Sequence, residues 1–296
     1  MTSETRETFG QVGIWSSALH RSRVDDAGRA AITEAVTELE ELGYGTLWIG
    51  GSPSPEDAAA VVADTRSVTV ATGILSIWDH SAADVAARIA TLDASARGRL
   101  VLGLGVSHGP MVPQYAKPYS AMVAYLDALD SANPPVESGH RVLAALGPKM
   151  LKLATDRALG AHPYLVTTEH TAESREALGP DALLAPELSV VLDTDLDRAR
   201  TTARNMLAMY LQLPNYTDNL LRLGFAESDF DGGGSVRLLD ALFALGDTEH
   251  VLARTRQYLD AGADHVALQV LTAEQGGAGL PLAEWRALAE AFGDEL

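Results

Sequence analysis

A Gly-Pro-Lys-Met sequence at residues 147–150 is the first candidate for chemistry, because it opens a predicted helix directly after an apolar run. That run, residues 142–146, is typical of a strand buried on both faces. Pro148 would take the first helical position, where its missing N–H costs nothing, and the helix N-terminus offers free N–H groups and partial positive charge. With the cation of Lys149, the turn predicts a site for a phosphate. The alternative is an ordinary strand-to-helix turn with a solvated lysine.

Two histidines follow predicted strands and could act on a proton or a ligand. His108 comes after the run Leu100–Val106, and a histidine titrates near neutral pH, so it can give or take a proton. We therefore predict His108 as a catalytic residue; the alternative is a loop histidine bonded to a backbone carbonyl. His170 follows the run Pro163–Val166, where it could contact a cofactor or stabilise the start of the next helix.

The elements that must position these residues alternate between short apolar runs and amphipathic segments. This alternation predicts an α/β fold whose parallel sheet closes as a (β/α)8 TIM barrel. We predict a single domain over residues 1–296, with a helical insertion at about 193–246 between strands seven and eight. The predicted strands are Phe9–Trp15, Thr46–Ile49, Val68–Ile74, Leu100–Val106, Val142–Leu146, Pro163–Val166, Leu184–Leu192 and His265–Leu271.

The active sites of such barrels lie at the carboxyl ends of the strands. In strand four, Gly103 and Gly105 predict a close approach of another backbone or of a ligand. The residues that this rule selects along the chain are Trp15, Gly50, Gly51, Ser52, Gly73, Ile74, Ser76, Ser107, His108, Gly147, Pro148, Lys149, Met150, Thr167, Thr168, His170 and Gln269.

Composition excludes several classes of function. The formal net charge of −18 argues against general binding to nucleic acid or to anionic membranes. The absence of cysteine excludes disulfides and thiolate chemistry and fits the cytoplasm. We predict no signal peptide, no membrane span and no metal site, because the sequence lacks a long apolar run and clustered metal ligands. Hydrolase-elbow and nicotinamide-fold motifs are also missing.

Four segments in order, ALGPKML, PYLVTTEHT, LPNYTDN and GADHVALQVL, make the chain resemble the luciferase-like monooxygenase superfamily. The resemblance runs from about Phe9 to Leu271 and is greatest to the branch of oxidoreductases that depend on coenzyme F420, a deazaflavin. It implies that Gly147–Met150 holds the cofactor phosphate. It also implies a bulge at the end of strand three, often with a non-proline cis peptide, that presses on the cofactor ring; here this falls at Gly73–Ile74 or one residue later.

The resemblance implies a cofactor site formed by Gly73, Ile74, Ser76, Ser107, Gly147, Pro148, Lys149, Met150 and His170, with His108 beside the substrate. One departure stands out: several deazaflavin enzymes carry an acid or an acid–histidine pair at the end of strand two, where this chain has Gly50-Gly51-Ser52. Another residue must then do the acid–base work, or that wall supplies none.

The first functional prediction is therefore an F420-dependent oxidoreductase that transfers a hydride to or from an unknown small organic substrate. An FMN-dependent monooxygenase of the same fold is the second, because the phosphate turn serves both cofactors. A barrel that binds a small ligand without redox turnover is the third. The resemblance also implies a homodimer.

Overall fold

The computed structural model describes residues 8–273 and 279–296. Their strands form one sheet in which every pair is parallel, in the order β10-β9-β11-β1-β2-β3-β5-β6-β7-β8, with β4 beside β5. The strands are β1 Val12–Ser16, β2 Thr46–Gly50, β3 Thr69–Gly73, β4 Leu75–Ser76, β5 Leu100–Gly105, β6 Arg141–Leu143, β7 Gly160–Ala161, β8 Leu183–Leu184, β9 Glu187–Leu192, β10 Phe243–Gly246 and β11 Val266–Val270.

Helices connect these strands, as parallel pairing requires. Most begin at a polar cap, such as Ser81, whose side chain accepts a hydrogen bond from the N–H of Asp84. The helices are α1 Asp26–Glu41, α2 Pro55–Asp64, α3 Ala82–Ala90, α4 Ala94–Arg99, α5 Pro118–Asp130, α6 Pro148–Arg157, α7 Thr168–Leu178, α8 Leu196–Tyr210, α9 Pro214–Arg222, α10 Val236–Leu242, α11 Thr248–Asp260 and α12 Leu282–Phe292.

The sheet curls around a central group of side chains. Only residues 185 and 186 separate β8, which pairs with β7, from β9, which pairs with β11. Pairing therefore continues from β7 through this segment to β11 and on to β1. Side chains from different strands meet inside in one buried cluster that includes Trp15, Trp48, Ala71, Val101, Val142, Leu183 and Ala267. The α/β class and the parallel sheet are confirmed.

Several boundaries differ from the sequence-based expectation; strand five, for example, ends at Leu143 and not at Leu146. The strand predicted sixth, at Pro163–Val166, is instead β7 at Gly160–Ala161. Leu165 has a φ of 55°, which no strand accommodates. The third strand is interrupted at Ile74. The stretch 193–246 is helical only as far as Leu242, because Phe243–Gly246 forms β10 beside β9.

Two glycines of β5, the strand predicted as the fourth, explain why β3 and β5 lie so close. A Cβ on Gly103 would lie 1.8 Å from the carbonyl oxygen of Thr72, and one on Gly105 would lie 2.4 Å from Cδ1 of Ile74. The predicted close approach is therefore made by strand three itself. Among the described residues, no helix combines the length and the apolar character that crossing a membrane requires.

Candidate active site

The end of strand three has the predicted bulge. The Gly73–Ile74 peptide bond is cis, and the strand resumes as β4 at Leu75. The side chain of Ile74 lies over Gly103 and Gly105 of β5. The expected position of the bulge is thus confirmed, while its contact with a cofactor ring stays a prediction.

Trp15 fills the space in front of this bulge. Its Nε1–H donates to the carbonyl oxygen of Gly73 at 2.9 Å. A Cβ on Gly50 would lie 2.2 Å from the indole carbons Cη2 and Cζ2, and one on Gly73 would lie 2.5 Å from Nε1. Gly50 is therefore required by the indole. At position 50, therefore, the indole leaves no room for an acidic side chain.

The loop after strand two is held from several sides. The ring Nε2–H of His20 donates to the carbonyl oxygen of Gly50, and the ring Nδ1 lies 3.6 Å from a carboxylate oxygen of Asp57. Ser52 Oγ accepts from the N–H of Ser76 at 3.1 Å, so the amide of Ser76, a predicted cofactor contact, is already engaged.

An acid–histidine pair, which the sequence did not predict, packs against this loop from two other segments: His20 follows β1 and Asp57 lies in α2. Burial alone would raise the pKa of Asp57, but the nearby His20 ring and the hydrogen bonds from Ser22 and Ser54 lower it well below its ordinary value. The side chains of His20 and Asp57 are each only 2% exposed, so the pair fixes the loop instead of facing the mouth of the sheet.

His108 lies where the sequence predicts it, after β5, and is partly buried. Burial lowers its pKa below the ordinary value, although a hydrogen bond with the side chain of Asn215 opposes the shift. The ring is therefore neutral at pH 7 and can accept a proton. Its Nδ1 is buried and has no hydrogen-bond partner among the described residues. The preceding Ser107 has a φ of 54°.

Four rings, which we call the aromatic cluster, form a row that begins at the bulge and ends beside His108: Trp15, Tyr164, Tyr210 and Tyr216. Successive ring centroids are 5.5, 5.4 and 5.2 Å apart, and the ring of His108 lies 5.3 Å from that of Tyr216. Tyr210 donates to the hydroxyl of Tyr164 at 3.2 Å, and Tyr164 donates to Gln269 Oε1 at 2.8 Å. Helices α8 and α9 thus contribute rings to the roof of the site.

The predicted phosphate turn is exposed at residues 147, 148 and 149. Helix α6 starts there without a side-chain cap, and a Cβ on Gly147 would meet no atom within 4 Å. The expectation of free N–H groups at this helix start is wrong for Met150, whose N–H donates to the carbonyl oxygen of Gly147 at 3.1 Å. At this turn, Lys149 supplies two groups that could bind an anion: its backbone N–H and its charged side chain.

His170 lies behind this turn and is 1% exposed. Its Nε2–H donates to the carbonyl oxygen of Leu146 at 2.9 Å, and its Nδ1 accepts from Ser174 at 3.2 Å. Burial lowers the pKa of His170, so the ring is neutral. It fixes the strand end that leads into Gly147, and its contact with a cofactor stays a prediction.

Glu187 is a functional candidate that periodicity could not reveal, because its strand reads as a buried run. Its carboxylate is 1% exposed, accepts from Ser189 Oγ at 2.6 Å and accepts from the N–H of Leu165 at 3.1 Å. Burial raises the pKa of Glu187 to about 7, although these two hydrogen bonds oppose the shift. Within 8–273 and 279–296, no cluster of histidine and acidic residues could hold a metal ion.

A family model described as luciferase-like monooxygenase matches residues 11–132, from the start of the sheet to the end of α5. None of the curated proteins that were compared is similar to the chain. Solved structures are similar over nearly the whole chain, at identities that show the fold alone.

One is an F420-dependent secondary alcohol dehydrogenase in complex with an F420–acetone adduct: 15% identity, TM-score 0.68, covering 95% of this chain and 98% of that one. Another is the F420-dependent tetrahydromethanopterin reductase of Methanopyrus kandleri: 15% identity, TM-score 0.66, 98% of both chains. A third is the oxygenating constituent of 3,6-diketocamphane monooxygenase of Pseudomonas putida in complex with FMN: 13% identity, TM-score 0.68, 97% of both chains. The family match and the shared fold confirm the resemblance of this chain to the luciferase-like monooxygenase superfamily.

Proposed function

We propose that the protein is an oxidoreductase with the (β/α)8 barrel that its sequence predicts, which uses coenzyme F420 to transfer a hydride to or from a small organic substrate. The observation that carries the proposal is the pairing of two features at one edge of the sheet. One is the bulge at Gly73–Ile74, and the other is the exposed, uncapped helix start at Gly147. Two F420-dependent enzymes among the similar structures support the choice of cofactor.

The residues at this edge fit an anionic cofactor. Gly147 leaves open space, and the described residues include no ion-pair partner for Lys149, so a phosphate would meet an uncompensated cation and a helix N-terminus. Gly147, Pro148, Lys149 and Met150 would hold the phosphate, and Gly73, Ile74, Ser76 and Ser107 would border the ring. The deazaflavin supplies the hydride chemistry when it is bound.

The chain itself has three tasks in this proposal. His108 accepts or returns the proton that accompanies hydride transfer, through its unpartnered Nδ1. Trp15 holds the carbonyl group of Gly73 in place. Helices α8 and α9 cover the mouth with Tyr210 and Tyr216 and exclude water. Beyond these tasks, we infer that the chain is a single domain, that it is cytoplasmic and that it forms a homodimer. Light scattering of the purified protein tests the homodimer.

A fluorescence titration with coenzyme F420, run beside one with FMN, tests the proposed function. Micromolar binding of F420 with much weaker binding of FMN is the expected result. Preference for FMN would replace the proposal with an oxygen-using monooxygenase. Absence of binding by either cofactor would overturn both and leave a barrel that binds a ligand without redox chemistry.

Lys149→Gln should weaken F420 binding by about tenfold at low salt, because it removes the cation beside the phosphate. Lys152→Gln is the matched control: that lysine lies on the same helix, is exposed and pairs with Asp156 at 2.9 Å. The difference between the two variants should shrink as salt is raised. Equal loss in both variants would show that the turn is not the phosphate site.

The FMN-dependent monooxygenase is kept as a second candidate because one similar structure holds FMN. The same Gly147–Met150 turn would take its phosphate. The fluorescence titration described above distinguishes the two candidates, because it compares the affinities of F420 and FMN under the same conditions.

A further inference from the structure

Glu187 is a buried carboxyl group without a counter-charge. Its two hydrogen-bond donors, the Ser189 hydroxyl and the Leu165 amide, are both neutral. No lysine, arginine or histidine among the described residues pairs with it, and no cation contributes to its pKa. Ionising a carboxyl group in a residue that is 1% exposed is costly unless something positive lies near it.

Aromatic side chains lie near this carboxyl group, since its charge acts on Tyr164, Tyr210 and Tyr216. The N–H of Glu187 donates to the carbonyl oxygen of Pro163 and its carboxylate accepts from Leu165, so the side chain flanks Tyr164. Tyr164 leads directly to Trp15 on one side and to Tyr210 on the other. The faces of such rings attract cations, most strongly when water is excluded.

We propose that Glu187 and the aromatic cluster bind the cationic group of the substrate, a protonated or quaternary amine. This deepens the proposed function, on which its meaning for catalysis rests, by naming a substrate class. A carboxylate beside tryptophan and tyrosine faces supplies both the counter-charge and the ring surface that an alkylammonium ion requires. An anionic substrate would meet only negative potential there.

The rings now lie against one another, so a ligand must displace one of them. Tyr210 is that ring, because it is the last residue of α8 and is partly exposed. The ionisable groups that face Glu187 are Tyr164, Tyr210, Tyr216 and Tyr258, and burial raises the pKa of each. These tyrosines are neutral at pH 7, so among them and Glu187 only the carboxylate would present a full charge to a cation, beside the ring faces.

The test is a calorimetric titration of the protein, without any cofactor, with choline and with its uncharged isostere 3,3-dimethyl-1-butanol at pH 7. Choline should bind about tenfold more tightly than the isostere. Because the cation favours the ionised carboxyl group, its binding should also release protons, seen as a heat that depends on the buffer.

Glu187→Gln should abolish both the preference for choline and the proton release, while Glu249→Gln, a change of an exposed acid on α11, should leave both unchanged. Equal binding of choline and the isostere by the wild-type protein, or no binding of either, overturns the proposal. A preference retained in Glu187→Gln overturns it as well. If choline binds but F420 does not, this inference stands and the proposed function is overturned. If F420 binds but choline does not, the proposed function stands and this inference is overturned.

Discussion

Replacing Glu187 with glutamine should increase the free energy of unfolding at pH 8 by about 3 kcal/mol. The pKa of this carboxyl group is raised by burial to about 7, against an ordinary value of 4.5. Below pH 4.5 both the folded and the unfolded states keep the proton, so the residue costs nothing. Between pH 4.5 and 7 the unfolded state ionises first, and the stability of the wild-type protein falls as the pH rises.

A glutamine cannot ionise, so the variant escapes this loss. Its carbonyl oxygen can accept from the Leu165 N–H while its amide donates to the hydroxyl of Ser189. Urea unfolding at pH 4.5 and at pH 8 measures the effect, with Glu249→Gln as the control. The same difference between variant and wild type at both pH values would contradict a neutral buried carboxyl group.

Acid should destabilise the protein through two histidines that pack against Trp48. Burial lowers the pKa of His162 and of His265 from 6.5 to about 4. A depressed histidine pKa means that the folded state resists protonation, so the stability present above pH 6.5 is lost as the pH falls through 4. Each residue accounts for about 3 kcal/mol of this loss.

The geometry around Trp48 explains why both rings resist protonation until the pH falls to about 4. His265 Nε2 accepts from Trp48 Nε1 at 3.0 Å, and its Nδ1–H donates to the carbonyl oxygen of Gly10 at 2.9 Å, so no nitrogen is free. His162 is stacked on Trp48 with centroids 4.1 Å apart, donates from Nδ1–H to the Ala185 carbonyl at 2.6 Å, and buries an unpartnered Nε2.

His162→Asn preserves a donor near Nδ1 and removes the titratable ring. We expect this variant to be less stable than the wild-type protein at pH 7, because it loses the stacking on Trp48, yet to lose about 3 kcal/mol less between pH 7 and pH 4. Urea unfolding over that range gives the slope. Parallel slopes in variant and wild type would show that His162 is not protonated on unfolding.

Sequence patterns predicted the parts of the site that depend on local order. The Gly147–Lys149 turn and the placement of His108 follow from residues that are adjacent in the chain, and resemblance to a family located the bulge at Gly73–Ile74. The pairs that define the interior join distant positions: Trp15 meets Gly50 and Gly73, and Trp48 meets His265. No periodicity reports which residues of different strands share a layer, so Glu187 and the aromatic cluster were missed.

Strand β10 was missed for a different reason. Residues 236–245 have apolar positions that suit a helix as well as a short buried strand, and such runs are ambiguous by periodicity. The register with β9, which pairs Phe243 with Ser189, decides the outcome, and that contact lies 54 positions away in the chain.

The contact between Trp15 and Gly50 also restricts how the side of the site that these two residues form can change over evolutionary time. An acidic side chain at position 50 would collide with the indole, whereas removal of the indole alone would leave a hole and strip the Gly73 carbonyl group of its donor. Each single substitution is therefore expected to lower stability. The two positions therefore form an epistatic pair, and a lineage that acquires the aromatic wall is held there by the unfavourable intermediates on the way back.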